Sequence, residues 1–249
     1  MSHADSVDQP ARAGATQARR AGRPGSAAAL TVLQELRRAH PDARCALRYR
    51  SPYELLVAVV LSAQTTDEAV NLVAPALLRR YPDPSALAGA QIPQLESRLS
   101  SIGMYRQKAR YLVELARRLV EKHGGHVPAT LAELVDLPGV GRKTANVVLA
   151  EAFGRAEGVV VDTHVLRLSQ RLGLSRHSSP GLVERDLMKL FSPRDWAQLS
   201  HLLIFHGRRI CSARRPSCAA CSVSQVCPSA FRAERIGRKA RPRQALGRA

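Results

Sequence analysis

Apolar side chains recur at three- and four-residue intervals through most of this chain, which is the period of the α-helix. Leu30, Leu33 and Leu36 begin one amphipathic segment. Pro52, followed by Tyr53 and Glu54, opens a second that continues through Leu55-Leu56-Val57-Ala58-Val59-Val60-Leu61. That run is apolar nearly all round, so it is expected to form a buried central helix. Ala69 to Arg80 predicts a third helix. Residues 107–122 predict a long fourth, with charge between its apolar positions and Gly124-Gly125 as its stop. Further helices are predicted at 142–153, 163–172, 182–190 and 195–206. Val159-Val160-Val161 is the only β-branched run, and it is short. The fold class is therefore all-α, with no internal period that would mark a solenoid.

Charge changes this picture more than length does. The chain has 249 residues and a formal net charge of +18. Such an excess repels itself unless a polyanion offsets it, and nucleic acid is the usual partner, by phosphate neutralisation and counterion release. A basic protein with no such partner is the alternative that composition leaves open. Residues 1–26 and 231–249 are rich in Arg, Gly and Ala and poor in large apolar side chains. They are expected to be disordered basic tails. No run is long and apolar enough for a membrane span, and no apolar core follows the first arginines as a secretory signal would require. A cytoplasmic, nucleoid-associated monomer is expected.

Two stretches carry candidate chemistry. Leu137-Pro138-Gly139-Val140-Gly141-Arg142-Lys143-Thr144-Ala145 joins helical segments. Two glycines one residue apart permit positive φ and leave the backbone uncovered. Amides of such a hairpin and of the following helix start lack partners and suit a phosphate. A plain glycine turn is the other reading. The second stretch holds Cys211, Cys218, Cys221 and Cys227, spaced C-x6-C-x2-C-x5-C. In a reducing compartment this clustering points to a metal centre rather than disulfides. The spacing alone leaves zinc and an iron–sulfur cluster both open. Cys45 lies far away in sequence and reads as an ordinary thiol.

Four motifs together resemble the endonuclease III family: LPGVGRKTANVVL at 137–149, VDTHV at 161–165, LSAQTTD at 61–67, and the four cysteines. The similarity runs from about residue 30 to about residue 230, in the family's order. It implies two helical domains flanking a DNA-binding cleft. The first is a six-helix domain at 46–156, with a helix–hairpin–helix at 131–150. The second is an iron–sulfur domain made of 27–45 and 157–230. It also implies a base-excision-repair glycosylase that removes oxidised pyrimidines from damaged double-stranded DNA and cuts the strand at the abasic site.

By matched position, the resemblance makes Lys143 the nucleophile and Asp162 its carboxylate partner. The four cysteines become ligands of a [4Fe–4S] cluster. Gln64 and Met104 plug the hole left by the extruded base, Met104 standing where a Leu is common. Gly139, Val140, Gly141, Arg142, Thr144 and His164 are expected on DNA, and Asp67 in the lesion pocket. The chemistry agrees. An amine that displaces a base must be unprotonated, and a helix start, a neighbouring Arg142 and partial burial all disfavour an ammonium at Lys143. A carboxylate would stabilise positive charge developing on the sugar. For each residue there is a plainer reading: a surface lysine, an N-cap aspartate, a helix-end amide. Arg208, Arg209, Arg214 and Arg215 flank the first cysteine and would present cations to phosphates.

Two rivals differ in specific residues. A related adenine-type monofunctional glycosylase generally lacks a lysine at the position of Lys143 and carries an extra C-terminal domain, where this chain has the basic residues 232–249. A non-enzymatic DNA-binding protein, with or without an iron–sulfur cluster, has no use for the Lys143–Asp162 pair.

Overall fold

A computed structural model describes residues 26–237. Its helices are α1 (Ser26–Ala39), α2 (Pro52–Leu61), α3 (Asp67–Arg80), α4 (Pro84–Ala88), α5 (Ile92–Leu99), α6 (Tyr105–His123), α7 (Leu131–Val135), α8 (Arg142–Phe153), α9 (Thr163–Arg171), α10 (Pro180–Leu190) and α11 (Trp196–Arg209). No strand occurs among the described residues, so the all-α expectation holds. None of these helices is long and apolar enough to cross a membrane.

Local chemistry sets the helix starts. Ser51 caps α2, its side chain accepting from the Glu54 amide, and Pro52 occupies the first helical position, where its missing N–H costs nothing. Thr66, Asp83 and Thr130 cap α3, α4 and α7 in the same way. Glycines in left-handed conformation end α6 at Gly124 and α8 at Gly154.

The helices enclose two separate hydrophobic cores. In the first, α2 is central and buried nearly all round, as its sequence predicts, and packs on α3, α6 and α8. This core draws on residues between Leu47 and Leu149. The second takes Ala29, Val32, Leu33 and Leu36 from α1 and joins them to α9, α10, α11 and Val223. One lobe is thus continuous in sequence and the other is built from both ends of the described chain. The Val159–Val161 run leads from one to the other as buried backbone without regular structure, with the Val160 amide donating to Ser200 Oγ at 3.0 Å.

Residues 1–25 and 238–249, most of the expected tails, lie outside the described part. The inner end of the C-terminal one is a correction. Ala233 is buried, Ile236 accepts a hydrogen bond from Arg171 Nε at 2.9 Å, and Gly237 sits against Arg167. Those residues close the second lobe. The reason is backbone rather than hydrophobicity: a buried arginine needs carbonyl acceptors, and this segment supplies one.

Candidate active site

Where the two lobes meet, a cavity of about 520 Å3 opens. Lys143, Thr144, Val147, Ala150 and Glu151 of α8 line one wall. Their spacing puts them along one face of the helix. The 62–65 turn and Arg44–Leu47 form a second wall, and Ser200, His201, Ile204, Phe205 and Arg208 of α11 a third. Asp162 lies at the mouth of α9 and Asp67 at the start of α3.

Lys143 is the second residue of α8. Its side chain is exposed rather than partly buried, as its sequence context had suggested. Asp162 is the N-cap of α9, and its Oδ1 accepts from the amides of His164 and Val165, both at 2.8 Å. Capping and cavity lining are therefore properties of the same carboxylate. The two bonds go to one oxygen, and Oδ2 has no hydrogen-bond partner among the described residues.

The hairpin before α8 differs from expectation in two ways. Gly139 has φ +76, and a Cβ there would meet the Tyr111 ring at 3.0–3.1 Å, so both conformation and space require glycine. Gly141 is extended at φ −93, however, and a Cβ there would meet nothing within 4 Å. Only one of the pair adopts positive φ. No side chain caps α8 at Gly141, so its first amides face outward without that partner. Val140 is buried and offers backbone only. Arg142 also has a protein partner that the sequence did not show: it donates to both carboxylate oxygens of Glu184 on α10 at 3.2 Å while its side chain stays half-exposed. Glu184 also accepts from Asn146, and Gly158 makes room for it. This charge ties the lobes together.

Gln64 and Met104 come side by side. Both are non-glycine residues with positive φ, +53 and +59, and both are exposed. A Cβ on Gly103 would stand 3.7 Å from the Gln64 carbonyl oxygen, so the two turns touch. His164 is half-buried. Its Nδ1 lies 3.2 Å from Arg167 Nη2. Burial pushes its pKa below the ordinary 6.5; Asp162 opposes, and Arg167 and Arg208 reinforce.

Several features of the cavity carried no signal in the sequence. Cys45 is one: its thiol is pushed up to about 11, by burial first and then by Glu151 and Asp67. Glu151 pairs with His201 at 2.6 Å and accepts from the Tyr49 hydroxyl at 3.4 Å. Arg208 pairs with Asp67 at 3.0 Å across 141 residues of sequence. Helical periodicity alone would have put Glu151 on the Lys143 face; the others needed the tertiary fold.

The four cysteines line a second, small cavity together with Arg171, His206 and Val223. Arg171 Nη1 donates to Cys211 Sγ at 3.3 Å, and His206 Nε2 lies 3.4 Å from Cys221 Sγ. No three His, Cys, Asp or Glu side chains among the described residues converge tightly enough to hold one metal ion. The sulfurs surround a space instead of meeting at a point. Burial, then the neighbouring thiols, push Cys227 up to about 11 and raise Cys221.

Residues 57–193 match the HhH-GPD superfamily of base excision DNA repair proteins. Endonuclease III of Synechocystis sp. is 51% identical over 202 residues, covering 81% of this chain and 92% of that protein. The chain belongs to the endonuclease III family. Endonuclease III of Escherichia coli K12 is 39% identical over 198 residues, covering 80% and 93%. A solved structure of a trapped endonuclease III–DNA covalent intermediate superposes with a TM-score of 0.79 at 42% identity, covering 85% of this chain and 98% of that one. A thermostable thymine-DNA glycosylase, 23% identical with a TM-score of 0.73, shares the fold.

Proposed function

We propose that Lys143 and Asp162 carry the chemistry of this base-excision-repair DNA glycosylase, and that it removes oxidised pyrimidines and then cleaves the strand as a lyase. Its partner is damaged double-stranded DNA. One observation supports the reading most: an exposed primary amine and a carboxylate, on different helices, line one cavity between the lobes. The neutral Lys143 Nζ attacks C1′ of the damaged nucleotide. The C1′–N bond breaks, and its electron pair leaves with the base, which takes up a proton. Asp162 stabilises positive charge building on the sugar and moves protons. The sugar ring opens to a protonated Schiff base on Lys143. Loss of a C2′ proton then expels the 3′ phosphate by β-elimination, and water releases the lysine.

Around this centre, the amides of Gly139, Val140, Gly141 and Thr144 grip the DNA backbone without reading sequence. His164 contacts a phosphate. Gln64 and Met104 enter the duplex where the target base leaves. Asp67 stands at the lesion pocket. The division into a 46–156 domain and a 27–45 plus 157–230 domain is supported by the two separate cores.

The residues around the second cavity fit a [4Fe–4S] cluster held by Cys211, Cys218, Cys221 and Cys227. The four cysteines line one cavity, Arg171 donates to Cys211 Sγ, and His206 Nε2 lies beside Cys221 Sγ. Bound there, a cluster would supply a cross-link for a segment with little apolar content. Acting on genomic DNA, the enzyme works in the cytoplasm, at the nucleoid.

Borohydride trapping on a duplex with one thymine glycol tests the mechanism. Wild type should give a covalent adduct and Lys143→Ala none, with damaged-DNA binding retained. An adduct that persists in Lys143→Ala would remove the lysine from its role. The adenine-type reading predicts no adduct in either protein.

A further inference from the structure

Lys108, in the first turn of α6, is 2% exposed. Burying an ammonium is costly unless a partner compensates. The usual compensation is a carboxylate, and none pairs with Lys108 among the described residues. Its Nζ instead donates to the neutral Thr65 Oγ1 at 2.6 Å. Burial lowers its pKa below the ordinary 10.5, and no neighbouring charge contributes to that shift. Replacing such a cation by an apolar side chain is often neutral for stability or even favourable. Stability alone therefore gives little reason for a lysine here.

Its location supplies a reason. Thr65 follows Gln64 directly, in a turn closed by the Thr65 amide donating to Ser62 O at 3.1 Å. The Lys108 amide donates to Met104 O at 3.0 Å, the bond that starts α6. One residue thus holds both turns, Gln64's by its side chain and Met104's by its backbone. Left-handed backbone costs a non-glycine residue about 1–2 kcal/mol, so both turns need bracing. The two turns lie close together, with the Gln64 carbonyl oxygen 3.7 Å from where a Cβ on Gly103 would stand.

We propose that Lys108 is a positioning residue, whose buried ammonium ties the Gln64 turn to the start of α6 so that Gln64 and Met104 enter the duplex as a single wedge. The inference rests on the plug reading of those two residues. Lys108 does not line the cavity that holds Lys143 and Asp162. It acts on opening the duplex, so its effect depends on whether the target base is already unpaired.

The test is single-turnover base release from two substrates. One carries the lesion in a fully paired duplex, the other in a mismatched bubble where the base is already unstacked. Lys108→Met should slow release from the paired duplex by roughly tenfold, equivalent to about 1.4 kcal/mol, and leave the bubble substrate within about twofold of wild type. Thr65→Val should do the same without touching the lysine, and the double variant should be no worse than either single one. Thr65→Ser, which keeps the hydroxyl, should be faster than Thr65→Val on the paired duplex. Equal slowing on both substrates, or no slowing on either, would overturn the proposal. Gln64→Ala and Met104→Ala separate it from the reading it rests on. If they are slow on the paired duplex and Lys108→Met is not, only the bracing role falls. If they open the duplex at the wild-type rate, the wedge falls and the brace with it.

Discussion

The two lobes solve the same packing problem with different materials. Around α2 the interior is mostly aliphatic, and its buried polar groups are few: Lys108, Asn146 and the Tyr53 hydroxyl, which donates to the Tyr81 carbonyl. The other lobe buries His40, Arg167, Arg171, Asp186, Asp195 and His206 beside its leucines and valines. Arg171 is the clearest case. It is fully buried, and its guanidinium donates to the carbonyls of Cys211, Ser212, Ala213 and Ile236 and to Cys211 Sγ. An aliphatic core tolerates loss in proportion to the volume removed. A core of polar groups fails when one partner leaves, because the others stay buried and unsatisfied.

Substitution should expose that difference. Arg171→Met keeps volume but strands several carbonyls at once. It is expected to cost roughly 4 kcal/mol or more and to lower the iron bound per chain, measured by denaturant unfolding and elemental analysis on one preparation. Full iron content with unchanged stability would make the two lobes alike. Leu56→Ala removes a wholly buried side chain from α2. The expected loss is about 3 kcal/mol with iron content unchanged, since the cysteines belong to the other lobe.

The smallest effect concerns acid. Burial, then Arg209, pushes His40 below 6.5, with Asp42 opposing. Its ring meets His206, Nε2 to Nδ1 at 3.0 Å. The unfolded chain therefore binds a proton that the folded lobe resists. His40's contribution is fully present above the unfolded value and erodes as pH falls through and below about 6.5. His40→Phe should flatten the fall in unfolding midpoint between pH 7 and pH 5. An unchanged slope would mean that His40 protonates in the folded protein as easily as outside it.

The aliphatic lobe was also the easier one to read from sequence. The α2 run and the 142–153 segment match the observed α2 and α8 at both ends, because period and caps agree there. The short α4 and α5 escaped, although Ile92, Leu95 and Leu99 carry a helical spacing; eight residues with proline and serine give a weak signal. In the site, Lys143 and Asp162 were legible because their motifs are local. The Arg208–Asp67, Glu151–His201 and Arg142–Glu184 pairs were not, since each joins segments far apart in sequence. Arg142 shows what local motifs leave out: its position beside the glycine hairpin was legible, but its carboxylate partner on α10 was not.

The chain path sets an order of assembly on the ribosome. The lobe around α2 has all its parts once Phe153 has been made, and its helices can close on one another at once. The first helix cannot. Leu33 and Leu36 of α1 belong to a core completed by α11, and Arg37 finds Asp195 only when that segment emerges. The first of the described helices to be synthesised is thus among the last to dock, and until then its apolar stripe is open to chaperones and to other nascent chains.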